Sequence, residues 1–294
     1  MTRKKITILD LQNRKDKNIP ITMLTAYDYS SAVFVDKAEI DITLVGDSLA
    51  MVMLGLDSTV SVTMEEMLHH SRAVARGTQF AFLVGDMPFM SYQVDTAEAV
   101  RNAGRFLKEA SMEAIKLEGG REVAATIQAI IQAGIPVMGH IGLTPQTVSQ
   151  LGGYRVQGKT AAAAQHLLED ALALEKAGCF AIVLEAVPAA VAIAISQQLH
   201  IPTLGIGAGN GCDGQVLVYH DLLGMFDKFQ PKFVKEYAHL GDIIVPALTA
   251  YRDEVQSRRF PADEHTYAMP AAEQETFLQT LNSTATTVSK QTIS

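Results

Sequence analysis

Five apolar runs in this 294-residue chain stop at residues that bind metals or move protons, and a sixth opens into glycines. Ile42–Val45 runs into Gly46-Asp47-Ser48, and Phe82–Val84 runs into Gly85-Asp86. Ala114–Leu117 carries Lys116 and ends at Glu118; Pro136–Met138 leads to Gly139-His140; Ala181–Leu184 ends at Glu185. The sixth, Ile201–Leu204, meets glycines at 205, 207, 209 and 211. Short runs that each finish in one acid or histidine are the pattern of parallel strands whose carboxyl ends line one pocket. The pattern points to an enzyme.

Asp47, Asp86 and Glu118 come from successive strand ends, so a barrel would bring them within a few ångströms of one another. Three such carboxylates repel unless protonated or bridged by a cation. Oxygen donors without clustered His or Cys favour Mg²⁺, which keeps several waters; the competing reading is helix capping or pairing with a surface lysine. Lys116 lies two residues before Glu118, so on a strand both side chains face the same way. A buried lysine there needs an anion, either a neighbouring acid or a substrate carboxylate. Glu185 ends an apolar strand, where its pKa should rise and suit a general base, or it caps the helix starting near Pro188. His140 is either a proton carrier or a satisfied core residue.

Strand-like and helix-like segments alternate to position these groups. Ile21–Ala26 reads as the first strand, with Asp28 capping a helix from about Ser30. Thr63-Met-Glu-Glu66 is a capping box for a helix to about Arg76. Further helices are predicted over 96–110, 122–133, 160–177 and 188–199, and Gln215–Tyr219 reads as the last strand. Eight strands, most followed by a helix, suit an α/β fold of the closed (β/α)8 barrel type. Gly209-Asn-Gly211-Cys-Asp-Gly214 matches a dinucleotide fingerprint by letter, but a strand and not a helix follows it, so NAD binding is rejected.

Net charge is −8 with no basic stripe, which excludes nucleic acid as an expected partner. Two cysteines make no disulfide framework, and no apolar stretch approaches membrane-spanning length. A cytoplasmic setting is expected. Residues 1–265 read as a single catalytic domain. The stretch 266–294, turning to Ser, Thr, Gln and Ala, reads as a tail that is disordered or loosely docked.

The motifs then spell a family. Thr25-Ala-Tyr-Asp28, Leu44-Val-Gly-Asp-Ser48, Asp57-Ser-Thr59, Ile115-Lys-Leu-Glu-Gly-Gly120 and Gly139-His-Ile-Gly-Leu-Thr-Pro-Gln146 occur in order. Gly152-Gly-Tyr154, Val156-Gln-Gly158, Leu184-Glu185 and Gly205-Ile-Gly-Ala-Gly-Asn210 follow. Together they resemble the ketopantoate hydroxymethyltransferases over about nine-tenths of the chain. The resemblance implies a barrel of the phosphoenolpyruvate/pyruvate type. Its reaction passes a hydroxymethyl group from 5,10-methylenetetrahydrofolate to 3-methyl-2-oxobutanoate, giving 2-dehydropantoate of pantothenate biosynthesis through a Mg-stabilised enolate.

By the same resemblance Asp47 and Asp86 hold Mg²⁺ and Glu118 completes or supports its shell. Asp47, Ser48, Asp86, Lys116 and His140 contact substrate, and Glu185 is the proton acceptor. The family also implies a homo-oligomer, often a decamer. Ala50, Leu56 and Ser61 depart from common family residues, all in the loop after the second strand. The competing readings are another Mg-dependent 2-oxo acid lyase or mutase of the same barrel superfamily, and a non-catalytic keto-acid-binding barrel. No cysteine follows a strand where such lyases often place one.

Overall fold

A computed structural model describes residues 3–149, 153–228 and 230–291. Gly152 of the Gly152-Gly-Tyr154 motif and residues 292–294 of the tail lie outside the described residues. The chain divides into two compact units, Met1–His239 and Leu240–Ser294, a boundary earlier than the 265/266 division expected from composition.

The first unit is a closed barrel of eight parallel strands in sequential order. They are β1 (Ile21–Thr25), β2 (Ile42–Val45), β3 (Phe82–Asp86), β4 (Ala114–Glu118), β5 (Val137–Gly142), β6 (Ala181–Glu185), β7 (Thr203–Ile206) and β8 (Gly214–Leu217). Helix α1 (Ile8–Asp16) precedes the barrel, α2 (Tyr29–Lys37) follows β1, and α3 (Leu49–Val52) and α4 (Met64–Gly77) follow β2. After them come α5 (Thr96–Ala110), α6 (Ala124–Gln132), α7 (Ala161–Ala177), α8 (Ala189–Gln198) and α9 (Tyr219–Leu222). No helix separates β7 from β8, and the glycine-rich loop between them runs directly into a strand, as the rejection of NAD binding required.

Local chemistry sets the helix starts. Asp28 and Ser31 form a reciprocal cap for α2, and Thr63 with Glu66 does so for α4, with Thr63 N–H donating to Glu66 Oε2 at 2.8 Å.

The pleat sorts the strand residues between two cores. Met23, Ile42, Leu44, Val84, Ala114, Met138, Val183 and Val216 fill the barrel interior, joined from below by Leu11 of α1. Leu24, Val45, Leu83, Ile115, Leu117, Val137, Ile141, Ile182 and Leu184 face outward against the helices. Ion pairs Arg14–Asp41 (2.6 Å) and Lys15–Asp213 (2.7 Å) tie α1 beneath the barrel. Gly85 and Gly139 stand on the outward face where no side chain fits: a Cβ on Gly85 would fall onto the Phe106 ring, and one on Gly139 would come within 2.7 Å of Leu174.

The second unit contains α10 (Gly241–Gln256) and α11 (Ala271–Gln291). The tail expected to be disordered or loosely docked is therefore helical over 271–291. No residue of α10 is buried, and the α11 side chains described are exposed. Among the described residues no helix is long and apolar enough to cross a membrane.

Gly85 adjoins Asp86, so packing and site are coupled there. Gly85→Ala should lower the unfolding free energy by about 1–3 kcal/mol through overpacking against Phe106, read by urea denaturation. An unchanged midpoint would mean that α5 gives way freely.

Candidate active site at the carboxyl ends of the strands

The alternation that points Val84 inward also points Asp86 inward, one layer higher. Met138 precedes His140 in the same way, Val183 precedes Glu185, and Lys116 lies below Glu118. Asp47, at the turn after β2, donates its backbone N–H to Asp86 Oδ2 at 3.1 Å. Asp47, Ser48, Asp86, Lys116, Glu118, His140 and Glu185 line one cavity of about 350 Å³ at the carboxyl end of the barrel. Its upper wall is formed by Tyr154, Val156, Val218, Phe226 and Phe233. Each residue singled out in the sequence thus reaches a common cleft.

Lys116 Nζ lies 2.9 Å from Asp86 Oδ1, an ion pair with both side chains almost fully enclosed. Of the two anions considered for this lysine, the neighbouring acid is present. The three acids stretch that single ammonium. Burial, then the charges of Asp86 and Glu118, push the Asp47 carboxyl well above its ordinary range. Burial likewise raises Asp86, with Lys116 pulling the other way. For Glu118 burial is outweighed by His140, Lys116 and the Gln146 N–H, which hold it low. Burial disfavours the Lys116 cation, yet the surrounding acids keep it charged.

His140 stands between two carboxylates. Its Nδ1 is 3.4 Å from Glu118 Oε1 and 3.2 Å from Lys116 Nζ, while Nε2 is 3.2 Å from Glu185 Oε2. The contact with Glu185 has ion-pair distance, but Nε2 is not aligned for a hydrogen bond. Burial and Lys116 oppose protonation of the ring, but Glu118 and Glu185 overcome both and raise its pKa to about 9. His140 is therefore not a bland core residue. Nor does Glu185 cap α8, whose N-cap is Pro188 without any side-chain cap bond.

Two contributors were not singled out from the sequence. Gln146, in the turn after β5, donates from Nε2 to Asp47 Oδ2 (3.0 Å) and to the Met87 carbonyl (2.9 Å). Its backbone N–H donates to Glu118 Oε2 at 3.0 Å. The Tyr92 hydroxyl lies 2.8 Å from Gln146 Oε1 and 3.0 Å from the Glu118 carbonyl, and it accepts from Glu118 N–H at 3.2 Å. Gln146 lies inside a quoted motif, Thr-Pro-Gln after a strand, which was the available signal. Tyr92 carried none. Ser48 is held by Tyr27, whose hydroxyl is 2.8 Å from Ser48 Oγ.

The donor set fits a hard divalent cation in part. Asp86 meets Lys116 Nζ through Oδ1 and the Asp47 N–H through Oδ2, and Asp47 beside it is crowded by the negative charge of Asp86 and Glu118. Glu118 differs: one oxygen accepts from Gln146 and the other faces His140. Among the described residues no group of three or more His, Cys, Asp or Glu stands as a ready ligand cluster. Asp47 and Asp86 thus suit Mg²⁺ with water or substrate completing its shell, while Glu118 serves as a support.

A closed parallel barrel with an acid-lined cleft at its carboxyl end defines a barrel enzyme, and solved structures share this fold. Phosphoenolpyruvate phosphomutase from Streptomyces platensis subsp. rosaceus superposes with a TM-score of 0.57 at 15% identity, covering 96% of this chain and 98% of that one. Phosphonopyruvate hydrolase, solved in complex with oxalate and Mg²⁺, gives 0.55 at 14% identity over 96% and 97%. 2,3-Dimethylmalate lyase, a member of the PEP mutase/isocitrate lyase superfamily, gives 0.54 at 16% over 97% and 98%.

Sequence places the chain more closely. The ketopantoate hydroxymethyltransferase family model matches residues 5–263. The 3-methyl-2-oxobutanoate hydroxymethyltransferase of Syntrophobacter fumaroxidans is 56% identical over 271 residues, 92% of this chain and 96% of the relative. That of Moorella thermoacetica is 56% identical over 265 residues, 90% and 98%. The chain belongs to the ketopantoate hydroxymethyltransferase family, whose members are transferases of pantothenate biosynthesis.

The imidazole gives a pH signature. Its folded pKa lies near 9 against an ordinary 6.5, so the stability it contributes is complete below 6.5 and is lost as pH rises through about 9. Melting temperatures across that interval should therefore fall more steeply for the native protein than for His140→Gln. Equal slopes would mean that the ring titrates as it does in water.

Proposed function

We propose that this cleft moves the one-carbon unit of 5,10-methylenetetrahydrofolate onto C3 of 3-methyl-2-oxobutanoate, releasing 2-dehydropantoate and tetrahydrofolate with one water consumed. The observation that carries the residue roles is Glu185 facing into the cavity that also holds Asp47 and Asp86, with a cationic His140 beside it.

Asp47 and Asp86 would hold Mg²⁺, which when bound draws electron density from the keto oxygen and so acidifies the C3 hydrogen. The Mg²⁺ found with phosphonopyruvate hydrolase on the same fold accords with that reading. Glu185 takes the C3 proton, and His140 Nε2, 3.2 Å from Glu185 Oε2, holds that carboxylate in the cleft. Lys116 pairs with Asp86 and offers its remaining N–H groups to the substrate carboxylate. Ser48, fixed by Tyr27, lines the same cavity and would contact the oxo acid there. Glu118 holds His140 and the turn at Gln146 in place. The deprotonated C3 then forms the new C–C bond to the methylene carbon as one of that carbon's two bonds to folate nitrogen breaks, and water replaces the second, leaving the hydroxyl on the product and returning the protons to tetrahydrofolate.

The same reading includes a homo-oligomer. Support comes from α10, which leaves Ile243, Val245, Leu248 and Tyr251 exposed. Sedimentation at micromolar concentration reads this directly: a single-chain mass would remove it.

Exchange of the C3 hydrogen of 3-methyl-2-oxobutanoate in D₂O tests the chemistry. Glu185→Gln should slow exchange by roughly 10²–10⁴-fold while oxo-acid affinity stays within a few-fold. Asp86→Ala should weaken Mg²⁺ and oxo-acid binding together. Undiminished exchange in Glu185→Gln would remove it from the base role.

A further inference from the structure

Asp221 is the one carboxylate lining the cleft that the reaction above does not use. It belongs to α9, the short helix after β8, far along the chain from the acids of β2, β3 and β4. It does not cap that helix, whose N-cap is Val218 without a side-chain bond. No hydrogen bond or ion pair engages its carboxylate among the described residues, although two cations, Arg155 and Lys232, line the same cavity. Burial and the nearby Glu236 raise its pKa to about 6, so it is ionised at neutral pH. An anion that is largely enclosed and unpaired is costly to keep. The same cavity is lined by the apolar Val218, Phe226, Pro231 and Phe233.

The cavity, about 350 Å³, is also of the size that accepts drug-sized ligands and exceeds what a five-carbon acid requires. Its polar end is taken up by the oxo-acid machinery. The rest of the lining is mostly apolar, with Asp221 as its carboxylate and Arg155 and Lys232 as its cations, and apolar walls beside an unpaired carboxylate suit a flat heterocycle bearing two adjacent N–H donors. The 2-amino-4-oxo ring of a reduced pterin has that pair at its 2-amino group and N3, and a carboxylate accepts both at once, as it does from a guanidinium. Resting on the proposed function, we infer that Asp221 anchors the pterin ring of the folate co-substrate, with the ring packed against Val218, Phe226 and Phe233.

The experiment is calorimetric binding of 5-formyltetrahydrofolate, a stable probe with the same ring edge, to the full chain and to Asp221→Asn and Asp221→Ala. Binding of 3-methyl-2-oxobutanoate with Mg²⁺ is measured alongside. Both variants should bind the folate at least tenfold more weakly and the oxo acid within twofold of the parent. Tetrahydropteroate, which lacks the glutamate, should show the same loss, assigning the effect to the ring and not the tail. Thermal melts identify any variant that fails to fold, and the near-isosteric Asn change is the deciding one. Folate affinity unchanged in folded Asp221→Asn, or an equal loss for the oxo acid, overturns the assignment while leaving the transfer reaction standing. A parent protein that binds no folate and transfers nothing overturns both.

Discussion

Burying Asp47, Asp86 and Glu118 around one ammonium group is the constraint to which the surrounding structure answers. In water three carboxylates at these separations would be screened; inside an apolar-walled cleft their repulsion persists. Lys116 offsets part of it, His140 another part, and the Gln146 amide and N–H groups satisfy oxygens on two of the three acids. The remainder is a surplus of negative charge around Asp47, which Asp86 and Glu118 impose on its carboxyl. A protein stabilised for its own sake would replace such a cluster with hydrocarbon. Its retention makes sense where a cation and an anionic substrate complete the balance.

Backbone pleat converts that local problem into a global one. On β4, Ile115 and Leu117 face the helices while Lys116 and Glu118 face the cleft. On β3 the inward Asp86 follows Gly85, whose missing side chain makes room for Phe106. The strands cannot shift by one residue without exchanging charged groups for apolar ones. Packing of α5 and α7 against glycines at 85 and 139 thus fixes the height at which Asp86 and His140 enter the cleft.

Much of this arrangement was legible in the residues. Apolar runs ending in Gly plus an acid mark strand ends, and an i, i+2 spacing is enough to put Lys116 and Glu118 on one side. The capping boxes at Asp28 and Thr63 needed only local sequence. Other features were hidden because they depend on approach through space. Gln146 and Tyr92 sit in turns separated by more than fifty residues, and nothing in either segment announces that they meet over Glu118. The occupation of both Glu118 oxygens, which separates it from the two aspartates, follows from the same meeting. Glu185 was read from its apolar chain neighbours, yet its closest polar neighbour is His140, contributed by the adjacent strand. The composition of the tail conveyed that it lacks a core, and α11 shows that a helix can form without one.

The plug beneath the barrel has a further meaning. Leu11, Ile21, Phe82 and Ala181 close the amino-terminal end, and Arg14 and Lys15 clamp α1 across it. Among the described residues that end of the barrel is closed, so the cleft is reached from the carboxyl side of the strands. A molecule seated beside Lys116 and Asp86 would lie deeper than one packed against Phe226 and Phe233, so depth would set which of the two enters first.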